Sequence, residues 1–160
     1  MSDLPPLAGR ALERASSLTI VTAESCTAGK LAALLSEAPG AAERLHGSFV
    51  TYTKANKTRA LGVPESLLDE QGAVCPEVAV AMAQGALARS PADIAVAITG
   101  VAGPEPDEDG NPVGRVCIAL ARSGMNRTYE FNYGNPGRET VQARAICDAL
   151  ILLISVLDAA

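Results

Sequence analysis

The strongest constraint on the fold is the apolar run IAVAI at residues 94–98, which follows a predicted helix over residues 76–88. That helix is indicated by Pro76 in its first turn and by alanine, valine and methionine residues along one face. A strand without a polar face is expected where helices cover both sides of a sheet. The two elements together predict an α/β fold.

The rest of the chain repeats this alternation of helical and strand patterns. Predicted helices cover residues 7–18, 30–36, 56–61, 64–70 and 138–157, and predicted strands cover residues 18–22, 48–53, 116–121 and 128–133. The last two strands are expected to pair as an antiparallel hairpin. Residues 1–160 are therefore expected to form a single domain, a three-layer α/β/α sandwich with a mixed, mostly parallel central sheet.

Composition and charge argue against several classes of function. The net charge of −5 leaves no broad cationic surface for a nucleic acid. The longest apolar stretch, residues 149–157, is far shorter than the roughly 20 residues that span a bilayer. The cysteines are widely spaced beside a single histidine, so neither a metal site nor a disulfide framework is predicted. We expect a soluble, cytoplasmic protein that binds neither nucleic acid nor a membrane.

Two unusual loops leave the carboxyl ends of predicted strands, where open α/β sheets bind their ligands. The loop at residues 23–29 holds Ser25 just before a predicted helix N-terminus, whose N–H groups and dipole stabilise a phosphate or an oxyanion. Ser25 is therefore a candidate nucleophile, and the alternative is that Ser25 or Thr27 only caps the helix. The other loop, residues 99–114, is rich in glycine, which permits close approach of backbone to a ligand.

A serine nucleophile needs a base, and the chain offers two kinds. His46, the only histidine, is expected in an exposed loop with no feature of a base. Lys54, Lys57 and Arg59 follow the second predicted strand, and burial would leave a lysine amine neutral enough to accept a proton. The alternative for this cluster is a solvated helix face.

Two further side chains have competing interpretations. Cys26 is a rival nucleophile, because a thiol at a helix N-terminus gains thiolate character, or it is a small residue packed beneath the loop. Arg138 opens the last predicted helix and is either a phosphate ligand or a surface arginine.

Several short blocks of sequence occur in a fixed order along the whole chain. The most specific is TAESCTAG at residues 22–29. It is followed by YTKANK at 52–57, LGVP at 61–64, GAV at 72–74, TGVAGP at 99–104 and PVGRV at 112–116. In this order the blocks closely resemble the CinA C-terminal domain family, which includes stand-alone nicotinamide-nucleotide amidohydrolases of the PncC type.

The resemblance implies hydrolysis of nicotinamide mononucleotide to nicotinic acid mononucleotide and ammonia, a step of pyridine nucleotide salvage without a metal or other cofactor. Ser25 matches the family's nucleophile, and Lys57, directly or through Tyr52, would accept its proton. Arg138 is the first candidate for the substrate phosphate. The substrate-binding residues implied by the resemblance are Glu24, Cys26, Thr27, Gly29, Thr99, Gly100, Gly103, Arg138 and Gln142. A homo-oligomer, dimeric or larger, is expected on the same ground.

The chain departs from the family pattern at several positions. Residues 106–111 replace a glycine-richer loop and bring three carboxylates, which would repel a phosphate if they faced the site. Gln142 stands where a second arginine is often found, Ala28 replaces a glycine, and Cys75 replaces a serine. Two other functions stay open: a non-catalytic nucleotide-binding or competence-associated partner protein, and an amidohydrolase that acts on a different small amide.

Overall fold

The computed structural model describes residues 3–159, in which a five-stranded sheet lies between two layers of helices. The strands are β1 (Ile20–Glu24), β2 (Leu45–Val50), β3 (Ile94–Gly100), β4 (Arg115–Arg122) and β5 (Met125–Asn132). The helices are α1 (Leu4–Ala15), α2 (Lys30–Ser36), α3 (Ala41–Arg44), α4 (Lys54–Leu61), α5 (Glu65–Gln71), α6 (Pro76–Ala88) and α7 (Arg138–Asp158). The predicted three-layer sandwich is confirmed.

The sheet is mixed, as predicted. Its strand order is β2-β1-β3-β4-β5, and β1 is parallel to both β2 and β3. Strand β4 is antiparallel to β3 and to β5, which confirms the predicted hairpin, and four of the five strands run in the same direction. Because β1, β2 and β3 are parallel, their carboxyl ends lie at one edge of the sheet.

Residue size alternates along the central strands. In β3, Ile94, Val96 and Ile98 pack into the core formed with α1, α2 and α7. Ala95 and Ala97 pack into the second core, formed with α4, α5 and α6. Helices thus bury both faces of the strand, which explains its unbroken apolar sequence. Strand β4 follows the same rule, and the small residues on one face let α6 approach the sheet closely.

Helix α6 also makes a close contact with the end of α4. Gly85 of α6 is buried, and a Cβ built there would clash with the carbonyl oxygen of Leu61. The absence of a side chain at this position is therefore what allows the two helices to pack together.

Helix α7 is the longest helix, with 21 residues, and is long and apolar enough by composition to cross a membrane. In the fold, 56% of the most apolar 18-residue segment of this helix is buried inside the protein. Its buried residues join the core on the α1 side of the sheet. The helix is therefore packed as a core helix.

The two edge strands and α1 differ from their predicted bounds by three residues; α1 covers Leu4–Ala15 rather than 7–18. Strand β2 begins at Leu45 rather than Ser48, so the exposed His46 lies in a strand and not in a loop. Strand β5 begins at Met125 rather than at residue 128, and the single-turn helix α3 was not predicted from the sequence. Edge strands bury one face only in part, which leaves a weak alternation to detect.

We expect Gly85→Ala to lower the free energy of unfolding by about 2–3 kcal/mol, because the added methyl forces α6 away from α4. The matched control is Gly9→Ala in α1, where a Cβ meets nothing within 4 Å. That change should raise the free energy of unfolding by about 0.5–1 kcal/mol through helix propensity. Urea unfolding of both variants checks the pair, and equal effects would contradict the close packing at Gly85.

Candidate active site

A cavity of about 600 Å³ opens at the edge of the sheet where β1, β2 and β3 end. Ser25 follows β1, and the segment after β2 leads into α4 with Lys57. The loop after β3 closes the third side. Strand β1 lies between β2 and β3, so the cavity occupies the position where open α/β sheets bind ligands. Its volume is in the range of small-molecule sites.

The structure divides the predicted site residues into two groups. Eight of them line the cavity: Ser25, Cys26, Tyr52, Lys57, Thr99, Gly100, Gly103 and Arg138. Four lie outside its lining: Glu24, Thr27, Gly29 and Gln142. Of these four, Glu24, Thr27 and Gln142 are buried, and contact of the four with a substrate stays a prediction.

Ser25 and Lys57 are in direct contact. Lys57 Nζ lies 2.7 Å from Ser25 Oγ, and it also donates a hydrogen bond of 2.9 Å to the carbonyl oxygen of Thr51. The lysine side chain is 1% exposed, so the solvated-face alternative is wrong for Lys57. A neutral amine in this position donates to Thr51 and offers its lone pair to the serine hydroxyl. The pair therefore has the geometry of a nucleophile and its base.

Burial changes the charge state of Lys57. Loss of solvation lowers the pKa of its amine from 10.5 to about 8, with a smaller opposing effect from the nearby Cys26. At pH 7 about a tenth of the amines are then neutral, compared with about one in three thousand for an ordinary lysine. The site thus maintains a usable fraction of the basic form without a histidine.

Glu24, the last residue of β1, fixes the loop that carries Ser25. Its side chain is fully buried, and its two oxygens accept hydrogen bonds of 3.0 Å from the N–H groups of Leu31 and Ala32 in α2. Thr27 Oγ1 donates to the same side chain at 2.7 Å, and Thr22 Oγ1 donates at 3.0 Å. The N-terminus of α2 therefore already holds an acidic group of the protein itself, and the expected phosphate or oxyanion role of this helix end is corrected.

Helix α2 also begins later than the sequence suggests. Its N-cap is Gly29, in the left-handed region with φ of 89°, and no side chain caps it. The alternative that Ser25 or Thr27 caps the helix is therefore wrong. A turn separates Ser25 from the helix, and the hydrogen bonds to Glu24 hold that turn in place.

Gln142 holds the same loop from the other side. It is buried in α7, its Nε2 donates a hydrogen bond of 2.8 Å to the carbonyl oxygen of Cys26, and its Oε1 accepts one of 2.6 Å from Lys30 Nζ. The family's arginine at this position suggested a substrate contact, whereas the glutamine orients the peptide that follows Cys26.

Three backbone N–H groups of the loop have no backbone carbonyl as partner. The N–H of Ser25 donates to the carbonyl oxygen of Ile98 at 2.9 Å, so it is not available to an oxyanion. Within residues 3–159, the N–H groups of Cys26, Thr27 and Gly29 donate to no backbone carbonyl. Those of Cys26 and Thr27 follow Ser25 directly in the chain and are therefore the backbone candidates for stabilising negative charge near its side chain.

Cys26 is a poor rival to Ser25. Burial raises the pKa of its thiol to about 12, an effect that the charge of Lys57 only partly offsets. The thiolate that nucleophilic attack requires is therefore scarce at neutral pH. The structure supports the packing interpretation for Cys26.

Tyr52 does not stand between Lys57 and Ser25. Its side chain is 57% exposed, and its hydroxyl oxygen accepts a hydrogen bond of 2.9 Å from Arg138 Nη2. Arg138 Nη1 donates to the carbonyl oxygen of Gly103 at 2.8 Å. The two side chains thus form one wall of the cavity, and the geometry favours Lys57 as the immediate base.

Two contacts of the site were not predicted from the sequence. The carbonyl of Thr51 orients Lys57, and a backbone carbonyl has no residue-specific signature. Lys54 Nζ pairs with Asp109 Oδ1 at 2.7 Å and with Glu108 Oε1 at 3.4 Å, across a long stretch of sequence. This pairing brings the acidic loop to the mouth of the cavity, an arrangement visible only in the folded chain.

The fold and the Ser25–Lys57 contact define an α/β protein with a serine–lysine pair at the carboxyl edge of its sheet. The model of the CinA C-terminal domain matches residues 5–157. The chain therefore belongs to the CinA C-terminal domain family.

Individual relatives agree with this assignment. A CinA-like protein of Mycolicibacterium vanbaalenii is 50% identical over 135 residues, which cover 84% of this chain and 32% of that protein. Protein YdeJ of Escherichia coli is 41% identical over 143 residues, 89% of this chain and 83% of that protein. The crystal structure of the competence/damage inducible protein CihA from Agrobacterium tumefaciens has a TM-score of 0.92 at 40% identity, and the match covers 98% of this chain and 96% of that chain. The chain spans about a third of the length of most of the curated relatives it matches.

We expect Lys57→Met to raise the free energy of unfolding by about 1–2 kcal/mol near pH 7. Burying the amine, which is mostly charged at this pH, costs about 3 kcal/mol, and the loss of two hydrogen bonds offsets part of the gain. The folded pKa of about 8 lies below the ordinary lysine pKa of 10.5, so the unfolded chain binds more protons between these values. Wild-type stability therefore rises across that window, and the advantage of the variant shrinks as pH rises.

Urea unfolding of wild type and Lys57→Met at about pH 7 and about pH 9.5 measures this change. Lys54→Met is the matched control, because the hydrogen bond with Asp109 raises the pKa of Lys54 and its amine stays charged over this range. A gain for Lys57→Met that did not depend on pH would contradict burial of a neutral amine.

Proposed function

We propose that this protein hydrolyses the carboxamide of nicotinamide mononucleotide to nicotinic acid mononucleotide and ammonia in the cytoplasm. The observation that carries the proposal is the 2.7 Å contact between Ser25 Oγ and the buried Lys57 Nζ inside a cavity of substrate size. The family resemblance supplies the substrate, since it implies a nicotinamide-nucleotide amidohydrolase.

In the first half of the reaction, Ser25 Oγ attacks the carboxamide carbon while Lys57 Nζ accepts the hydroxyl proton. The resulting tetrahedral intermediate carries negative charge on the former carbonyl oxygen. Lys57 then returns the proton to the amide nitrogen, the C–N bond breaks, and ammonia leaves. An acyl ester on Ser25 remains.

The negative charge of the intermediate needs donors that are in place before the reaction. The N–H groups of Cys26 and Thr27 are the backbone groups suited to this task, because that of Ser25 is bound to Ile98. Gln142 fixes the carbonyl of Cys26 on the opposite side of the same peptide unit as the Thr27 N–H. It therefore acts as a positioning residue for the donor.

In the second half, water replaces ammonia at the acyl ester. Neutral Lys57 accepts a proton from the water, the oxygen attacks the ester carbon, and the protonated amine returns the proton to Ser25 Oγ as the C–O bond breaks. The product is the carboxylic acid, and both side chains return to their starting states. A single lysine thus serves both steps.

We expect Ser25→Ala to lower the rate of ammonia release from nicotinamide mononucleotide by at least about a thousandfold, because the acyl ester can no longer form. Cys26→Ala is the matched control and should stay within about fivefold of wild type. The measurement is the release of ammonia and nicotinic acid mononucleotide by purified protein. Wild type that binds the nucleotide without releasing ammonia would instead indicate the non-catalytic binding protein, and turnover of another amide alone would redirect the substrate assignment.

The pH profile tests the role of Lys57. With a pKa of about 8, kcat/KM should rise about tenfold per unit below pH 8 and level off above it, because only the neutral amine accepts the proton. Steady-state kinetics between about pH 6.5 and 9 records the profile. A flat profile over this range would show that Lys57 is not the base.

A further inference from the structure

Four carboxylates of the loop between β3 and β4 face the same cavity as Ser25. They belong to Glu105, Asp107, Glu108 and Asp109, and all four residues line the cavity. The acidic loop therefore faces the site, which is the arrangement in which its carboxylates would repel a substrate phosphate.

The loop is held in this arrangement by its own hydrogen bonds. The Asp107 side chain accepts from the backbone N–H of Asn111 at 2.7 Å, from Asn111 Nδ2 at 2.8 Å, and from the N–H of Asp109 at 3.0 Å. Asp109 in turn accepts from the N–H of Ala73 across the cavity mouth at 3.3 Å. Among the residues the structure describes, these acids form no cluster that would hold a metal ion. Their negative charges therefore contribute to the electrostatic potential of the cavity.

The cations of the lining do not balance these charges. Lys54 is already paired with Asp109 and Glu108. Lys57 is charged in most molecules near pH 7, since its pKa is about 8, but it is buried and bound to Ser25 and Thr51. Arg138 forms no ion pair within the described chain. Even with Lys57 charged, four carboxylates of the lining outnumber its three cations, Lys54, Lys57 and Arg138, so the lining is negative overall.

The charges of a nicotinamide nucleotide are distributed unevenly. The pyridinium ring nitrogen carries a permanent positive charge next to the reacting carboxamide, and the phosphate carries up to two negative charges at the other end. Removal of the phosphate leaves a nucleoside with the same reacting group and a net positive charge. A negative cavity stabilises that cation and opposes the phosphate.

We propose that the acidic loop makes the site select a cationic pyridinium carboxamide without a phosphate, so that nicotinamide riboside is hydrolysed with a kcat/KM at least equal to that of nicotinamide mononucleotide. The inference rests on the proposed amidohydrolase and concerns which compound its site favours. Glu105 and Glu108 are the specificity-determining residues that can be tested most cleanly. Neither accepts a hydrogen bond from the loop backbone, and Glu108 contacts Lys54 only at 3.4 Å, whereas the 2.7 Å hydrogen bond from Lys54 goes to Asp109 and is kept.

The experiment compares ammonia release from both substrates by wild type and by the double variant Glu105→Gln/Glu108→Gln. Neutralising the two carboxylates should lower KM for the mononucleotide about fivefold and leave KM for the riboside unchanged or higher. The matched control is Glu13→Gln/Glu43→Gln, which makes the same change in net charge at two exposed acids outside the cavity. In wild type, added salt should lower KM for the mononucleotide and raise it for the riboside.

A higher wild-type kcat/KM for the mononucleotide than for the riboside would overturn the inference while leaving the amidohydrolase in place. Equal effects of the two double variants would overturn it as well, since the charge would then act without regard to position. Release of ammonia from neither substrate would overturn the proposed function itself, and the inference with it. The three failures give different results.

Discussion

The site depends on one buried acidic side chain at the end of β1. Glu24 brings the first N–H groups of α2, the hydroxyl of Thr27 and the hydroxyl of Thr22 to a single pair of oxygens. An unpaired carboxylate in this position would cost several kcal/mol, so its partners are held firmly in place. Ser25 is the next residue in the chain, and its position is therefore set by the sheet on one side and by α2 on the other.

The second determinant is the burial of Lys57. A lysine inside a protein is destabilising at neutral pH, because folding must keep its amine neutral or leave a charge without water. Here the amine has two suitable neighbours, the hydroxyl of Ser25 and the carbonyl of Thr51. The same loss of solvation that costs stability lowers the pKa to about 8 and makes the side chain a base near neutral pH.

Much of the fold could be predicted, because local sequence patterns indicate most of its helices and strands. The boundaries of α6 and the start of α7 agree with prediction, since proline, glycine and the apolar period mark them directly. The bounds of β2 and β5 were less accurate, because an edge strand has only one partly buried face. Within the site, Ser25, Lys57 and Arg138 were located by motif and do line the cavity, whereas the hydrogen bonds by which Glu24 and Gln142 support the loop were not predicted.

The sequence by itself determined the alternation of helices and strands, the family and the two residues of the serine–lysine pair. Each of these can be recognised from a short, continuous segment of the chain. Only the tertiary structure decided the strand order, the burial of Lys57 and the direction in which the acidic loop faces. These depend on contacts between segments far apart in the chain, such as Lys54 with Asp109 and Gln142 with Cys26. Such contacts leave no periodic signal in either segment, and the pKa and charge of the site follow from them.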